Sequence, residues 1–199
     1  HNIFALETAI DEVAISGGND PLELRRKLLK QKPRALKVLD KIAELSHWGE
    51  SKLNGLFSGI GFLFYHGGFQ AQVADISISN RGKIKVHNVT FVADCGQVIN
   101  PSLARQQVEG SILFGLNSTL KGEINAKNGE IVQSNFDDYP IIKLKETPKI
   151  NVHFIKSEES PAGIGEIGTP LIGPVVANAV FAATGKRMRR LPIRRKDLV

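Results

Sequence analysis

The hydrophobic pattern of the chain changes period near residue 50. Before that point, apolar residues recur every three or four positions, which is typical of amphipathic helices. In the first segment they are Ile3, Leu6, Ile10 and Val13. We expect these four side chains to share one face of a helix that ends at Gly17–Gly18. Two more helices are predicted to begin at Pro21 and Pro33, because proline favours the first helical position.

After residue 50, alternating apolar and polar residues predict β-strands. Residues 59–79 and 83–93 are strand-like, and the loop 80–82 joins them as a hairpin. A second hairpin is predicted to turn at Asn128–Gly129, since this dipeptide favours two-residue turns. Residues 149–157 predict a further strand.

Two helices are placed among these strands. One is predicted from Pro101 to about Leu116. The other is almost free of charge, is expected to be buried and ends at Gly185. Helices precede hairpins instead of alternating with single strands, so the pattern predicts an α+β fold. We divide the chain into a helical N-terminal segment, residues 1–50, and an α+β portion, residues 51–199.

The composition excludes several functional classes. The net charge is +6, but the basic C-terminal segment 185–199 contains no aromatic residue, so we expect no nucleic-acid binding. No apolar run is long enough to span a membrane, and we expect a soluble protein. The single cysteine, Cys95, cannot form an internal disulfide or hold an iron–sulfur cluster alone. Because the chain begins at His1, we expect it to be part of a longer protein.

The segment Gly163–Gly168 has the spacing Gly-x-Gly-x-x-Gly between a predicted strand and a predicted helix, which is the context of a dinucleotide-binding loop. Two features argue against that interpretation. Pro170 and Pro174 are expected to delay the start of the helix, whose N–H groups would have to reach the phosphates. In addition, Glu166 would place a negative charge beside them.

The same segment could instead present Glu166 as a general base. Gly163 and Gly165 have no side chains and would let a large ligand approach the backbone. We expect Ile164 and Ile167 to desolvate the carboxylate, which would raise its pKa as a base requires. A solvated glutamate in a glycine-rich turn is the structural alternative.

Gly110 and Gly115 lie inside the predicted helix that begins at Pro101. Each glycine costs a helix about 1 kcal/mol relative to alanine. Two of them in one helix indicate the close approach of another backbone or of a ligand. Gln107 lies one turn before Gly110, so a bulky cofactor could lie against that face. The alternative is a glutamine on the surface.

Taken together, residues 94–116 and 161–193 resemble the C-terminal half of the molybdopterin-binding region of molybdenum hydroxylases, the family of xanthine dehydrogenases and aldehyde oxidoreductases. The most specific feature is a Gly-x-Gly-Glu loop followed by prolines and a small-residue helix. Within the family, the chain is most similar to large (beta) subunits of bacterial enzymes that oxidise isoquinoline-like heterocycles. The likeness covers nearly the whole chain.

The resemblance implies roles for five residues. Glu166 matches the family's catalytic glutamate, and Gln107 matches the glutamine that hydrogen-bonds the molybdenum cofactor. Gly163, Ile164 and Gly165 match the wall next to the metal, and no residue of this chain is expected to be a metal ligand. In such enzymes the glutamate takes a proton from a molybdenum-bound hydroxide, and oxygen derived from water is inserted at an electron-poor carbon.

The resemblance also implies cofactors and partners. We expect molybdenum–molybdopterin, in a dinucleotide form, in the intact subunit, and iron–sulfur clusters on a small partner subunit. The other partners would be the rest of the large subunit and an N-heterocycle or aldehyde substrate, in the bacterial cytoplasm or periplasm. The isolated chain is expected to be inactive. A non-catalytic assembly or scaffold domain and an NAD(P)-binding domain remain as alternatives.

Overall fold

The structure of the protein is a computed structural model that describes residues 1–52 and 55–198. It combines helices with two sheets, which confirms the predicted α+β class. The helices are α1 (Asn2–Ser16), α2 (Pro21–Leu28), α3 (Pro33–Ser46), α4 (Pro101–Leu120) and α5 (Thr169–Thr184). The strands are β1 (Phe57–Tyr65), β2 (Gly68–Ile78), β3 (Ile84–Asp94), β4 (Ala126–Lys127), β5 (Glu130–Ile131) and β6 (Lys149–Phe154).

Four strands form the main sheet, in the order β1-β2-β3-β6. The first three are antiparallel, as the hairpin prediction requires, and β6 joins parallel to β3. The β1–β2 turn consists of His66 and Gly67, whose φ angles of 48° and 82° suit a two-residue hairpin. β4 and β5 form the smaller hairpin predicted at Asn128–Gly129.

Helices cover both faces of the main sheet. On one face, α4 and α5 contribute Ile112 and Val176 to a core that includes Phe91 of β3. On the other face, α3 packs Leu39 against a second core that includes Val73 of β2. α1 lies against α5, and α2 lies against α1. The domain boundary near residue 50 stays a prediction.

The apolar face of α1 is not the face that the fold buries most. Leu6 and Val13 are 53% and 63% exposed. The buried residues of this helix are instead mostly polar, and Glu7 forms an ion pair with Arg25 of α2 at 2.7 Å, with both side chains at most 3% exposed. Asp11 pairs with Arg187 at 2.5 Å. These long-range partners decide which face is buried, and hydrophobic spacing alone does not reveal them.

The expectation that two prolines delay the last helix is wrong. α5 begins at Thr169, directly after Gly168, and Pro174 lies inside it. Pro170 fits because the first N–H groups of a helix need no intrahelical partner. Pro174 is tolerated in a segment whose residues 171–180 are all buried, so tertiary packing holds the helix. In the described part of the chain, no helix combines the length and the apolar character that crossing a membrane requires.

Candidate functional site

The glycine loop, which we define as residues 159–168, lies between two other connections of the fold. The backbone N–H of Ala162 donates to the carbonyl of Cys95, just after β3, at 2.9 Å. The N–H of Gly163 donates to the carbonyl of His66, at the tip of the β1–β2 hairpin, at 3.2 Å. Both bonds hold the first half of the loop against the same end of the main sheet.

The two glycines that were predicted to give access to a ligand differ in their surroundings. A Cβ added to Gly163 would lie 3.1 Å from the Cβ of His66, so the hairpin tip leaves little room for a side chain there. A Cβ added to Gly165 would meet no atom within 4 Å. Contacts within this chain therefore explain why residue 163 has no side chain. They do not explain this for Gly165, whose open surroundings would admit a ligand.

Gln107 and Gly165, predicted as site residues from segments 58 positions apart, lie side by side. The side chain of Asn100 accepts a hydrogen bond from Leu103 N at 3.0 Å and caps the start of α4. Gln107 then lies in the second turn of the helix, where its Nε2 donates to the carbonyl of Gly165. The helix therefore contributes a side-chain amide to the wall formed by the glycine loop.

An open pocket of about 510 Å³ lies beside this hydrogen bond. It lies between the β3–α4 connection, the first turns of α4 and residues 161–165. Three of the five predicted site residues line it, namely Gln107, Ile164 and Gly165. The volume falls in the range of about 300–1,000 Å³ that is common for small-molecule sites. The structure thus offers a ligand-sized space where these three residues meet.

Glu166 is exposed, so the expected desolvation of its carboxylate is not found in this chain. Ile167 is 1% exposed and belongs to the core, whereas Ile164 is half-buried, packs against that core and lines the pocket. The backbone of Glu166 is nevertheless ordered by the turn, because the N–H of Thr169 donates to its carbonyl at 3.0 Å. The chain alone places Glu166 next to the pocket wall without burying it.

Asp94 and Arg34 form an ion pair at the end of β3, next to the pocket residue Cys95. The sequence did not reveal this pairing. Asp94 ends β3, and its side chain is 3% exposed. Arg34 of α3 donates to both carboxylate oxygens, at 2.8 and 2.7 Å. These bonds, with a weaker one from Gly96 N, hold the pKa of Asp94 below its usual value, and burial raises the pKa of the neighbouring Cys95 thiol. The partners are 60 positions apart, and no spacing rule connects them.

A comparison with family models identifies the fold. Residues 19–148 match the model described as a molybdopterin cofactor-binding domain. The match covers more than half of the 199 residues and includes α4 with Gln107. The chain belongs to this family.

Individual relatives extend the likeness to nearly the whole chain. The beta subunit of isoquinoline 1-oxidoreductase from Brevundimonas diminuta is 30% identical over 195 residues, which are 96% of this chain and 25% of the relative. A nicotinate dehydrogenase subunit of Pseudomonas putida is 31% identical over 96% of this chain and 18% of the relative. The chain therefore spans about a quarter or less of these relatives.

Solved structures confirm the fold class. Quinoline 2-oxidoreductase from Pseudomonas putida 86 superposes with a TM-score of 0.61 at 23% identity, over 65% of this chain and 18% of that chain. A copper- and molybdenum-containing CO dehydrogenase superposes with a TM-score of 0.55 at 25% identity, over 59% of this chain and 16% of that chain. The α+β arrangement of helices and main sheet is thus that of molybdenum-containing oxidoreductases.

The pocket of this molybdopterin cofactor-binding domain fits a pterin chemically. Its lining includes no charged side chain, and its polar side chains include the amides of Gln97, Asn100 and Gln107. An amide offers both donors and an acceptor, which the ring nitrogens and carbonyl of a pterin require. Within residues 1–52 and 55–198, no group of three or more His, Cys, Asp or Glu side chains is placed to hold a metal ion. These residues are suited to the organic part of the cofactor.

The geometry gives no support to a dinucleotide at the same loop. A Rossmann site lies at the carboxyl ends of a mostly parallel sheet, whereas β1, β2 and β3 are antiparallel. The N–H of Gly168, at the start of α5, already donates to the hydroxyl of Ser111 at 3.0 Å. This N–H is therefore not free for a phosphate.

Proposed function

We propose that this chain is the C-terminal part of the molybdenum-binding large subunit of a bacterial hydroxylase. The intact enzyme would oxidise an N-heterocycle or an aldehyde with oxygen from water. The observation that carries this proposal is the hydrogen bond from Gln107 to the carbonyl of Gly165, beside Glu166 and at the wall of a ligand-sized pocket. The names of the isoquinoline and nicotinate relatives support the heterocycle class.

We propose a role for each of the five site residues of this chain. Gln107 would hold the cofactor, because a side-chain amide retains donor and acceptor capacity after one hydrogen bond. Gly163, Ile164 and Gly165 would form the wall against which the cofactor lies. When bound, the cofactor supplies a redox centre and a Lewis acid. Glu166 would accept a proton on its carboxylate oxygen as general base.

Glu166 is exposed in this chain, so the proposed role as a base requires that its carboxylate be covered in the intact enzyme. A general base works best when its pKa lies near the working pH, and burial is the usual way to raise the pKa of a carboxylate. Because the chain spans only 25% of the isoquinoline 1-oxidoreductase subunit that it matches, we propose that other parts of the large subunit cover Glu166. The isolated chain would then be inactive.

The proposed assembly includes a second subunit. The resemblance to molybdenum hydroxylases implies iron–sulfur clusters as electron acceptors, and the single cysteine of this chain could not hold one alone. On that resemblance we propose iron–sulfur clusters on a small partner subunit, and a dinucleotide form of the pterin in the large one. The division into residues 1–50 and 51–199 is retained as part of this proposal.

Glu166→Gln in the full-length, cofactor-loaded enzyme tests the catalytic assignment. Turnover should fall by about 10²–10⁴-fold, the usual contribution of a positioned base. Molybdenum content should stay normal, because the side chain keeps its size and its backbone contacts. Glu158→Gln, an exposed glutamate upstream of the turn, is the matched control and should leave turnover unchanged. Full activity of the Glu166 variant would show that this residue is not the base.

The exposure of Glu166 favours one second candidate, an assembly or scaffold domain that has kept the fold without the chemistry. Molybdenum analysis of the natively purified full-length protein separates the two functions. The hydroxylase requires about one molybdenum per large subunit, because one cofactor serves each site. A scaffold would contain none.

A further inference from the structure

Two buried side chains fix the C-terminal end of the glycine loop. Gln72 of β2 is fully buried, and its Nε2 donates to the carbonyl of Gly168 at 2.9 Å. Ser111 of α4 accepts a hydrogen bond from Gly168 N at 3.0 Å and donates to the carbonyl of Val108 at 2.8 Å. The two peptide groups that flank Gly168 are therefore held by two different elements, one by strand β2 and one by α4.

These contacts constrain the backbone that carries Glu166. The carbonyl of Gly165, one residue before it, accepts from Gln107. Ile167, one residue after it, is 1% exposed and fixed in the core. A Cβ at Gly168 would lie 2.5 Å from the hydroxyl of Ser111, which shows how closely the loop is packed there. The direction of the Cα–Cβ bond of Glu166 is thus set by groups on both sides of it.

The burial of Gln72 calls for an explanation of its own. A primary amide in the interior costs stability unless hydrogen bonds replace those to water. The bond to Gly168 satisfies Nε2, whereas Oε1 has no partner in the described residues. Leucine would fill the same space without an unpaired oxygen, so packing alone does not explain an amide at this position. The hydrogen bond from the Gln72 amide to the loop explains the amide.

We infer that Gln72 is a positioning residue for Glu166. It touches neither cofactor nor substrate, and it acts by holding the carbonyl of Gly168 so that the turn presents Glu166 at the edge of the pocket. This inference rests on the proposed function, in which Glu166 is the base. Positioning of this kind matters because a displacement of about 1 Å can cost on the order of 100-fold in rate.

The test compares Gln72→Leu with Gln70→Leu in the full-length enzyme. Gln70 lies on the same face of β2, is 1% exposed, and its Nε2 has no partner in the described residues. It is therefore a matched control for the loss of a buried amide. Ser111→Ala removes the hydrogen bond between the Ser111 hydroxyl and Gly168 N. This variant replaces Gln72→Leu in the test if the Gln72 variant does not fold.

Two measurements are needed. In the loaded enzyme, Gln72→Leu should lower kcat by at least about tenfold while KM and molybdenum content change by less than about twofold. In the cofactor-free subunit, amide hydrogen exchange in residues 164–169 should become faster. Ser111→Ala should shift both quantities in the same direction, and Gln70→Leu should shift neither.

The inference is overturned if exchange in the loop is unchanged, if kcat is unchanged although exchange is faster, or if Gln70→Leu lowers kcat as much as Gln72→Leu. A failure of the proposed function looks different. Glu166→Gln would then retain activity, while the exchange measurement would still report whether Gln72 holds the loop.

Discussion

Alanine at Gly110 and alanine at Gly115 should change the stability of the chain in opposite directions, although both positions lie inside α4. A Cβ at Gly110 would meet no atom within 4 Å. A Cβ at Gly115 would lie 2.6 Å from the carbonyl oxygen of Thr169 and 2.6 Å from a methyl group of Ile172. The oxygen belongs to the backbone of α5, so the clash cannot be relieved without moving one helix against the other.

The magnitudes follow from two opposing effects. In a helix interior, alanine is better than glycine by about 1 kcal/mol, and Gly110→Ala should gain about this amount. Gly115→Ala gains the same helix propensity but overpacks a core, which costs about 1–3 kcal/mol and sometimes more. Contact with backbone places the cost at the upper end. The net loss should be about 2 kcal/mol, and the two variants should differ by about 3 kcal/mol.

Urea unfolding of the 199-residue chain measures this difference. With a slope of about 3 kcal/mol per M, the midpoints of the two variants should lie about 1 M apart, with the parent chain between them. The result also bears on the expectation that two glycines in one helix mark the close approach of a backbone or a ligand. Gly115 closely approaches the backbone of α5, whereas the open surroundings of Gly110 leave the ligand alternative as a prediction. If Gly115→Ala were as stable as Gly110→Ala, the packing of α4 on α5 described above would be wrong.

Two further predictions concern the surroundings of the pocket. Arg34→Met should lower the free energy of unfolding by about 2–3 kcal/mol, which lies between the values for exposed and buried ion pairs. Arg26→Met is the control, because the partners of Arg26 are more exposed, and it should cost less than about 1 kcal/mol. Because the folded-state pKa of Asp94 is lowered, the stability from its pair with Arg34 should be present above pH of about 4 and lost as the pH falls through the folded-state value. Equal stability of the Arg34 and Arg26 variants at pH 7 would contradict the stabilising role of the Arg34–Asp94 pair. Gly165→Ala should change the free energy of unfolding by no more than about 0.5 kcal/mol but should lower the molybdenum content of the full-length subunit. A normal molybdenum content would show that Gly165 is not part of the cofactor wall.

Local signals in the sequence were sufficient for most of the elements. Asn128–Gly129 forms the predicted turn because both residues adopt positive φ, at 53° and 85°. Asn100 caps α4 through its own side chain, although the helix continues to Leu120, one turn beyond the predicted end. Each of these features is decided within a few residues, so the sequence contains the information directly.

The features that failed depend on partners far along the chain. α1 buries its polar face because Glu7 meets Arg25 and Asp11 meets Arg187, and these pairs override hydrophobic spacing. The expected burial of Glu166 also failed, since Ile167 lies in the core while Ile164 packs against that core and lines the pocket. By contrast, Gln107 and Gly165 were placed together by the resemblance to a family, and composition or periodicity could not have paired them.

The most direct test of the central claim is an experimental structure of the full-length, cofactor-loaded subunit. We predict that the pterin lies in the pocket between α4 and the glycine loop, within hydrogen-bonding distance of the Gln107 amide and in contact with Gly165. The Glu166 carboxylate should then be covered by other parts of the subunit and face the molybdenum. A cofactor bound elsewhere, or a Glu166 carboxylate still open to solvent in the loaded enzyme, would contradict the account.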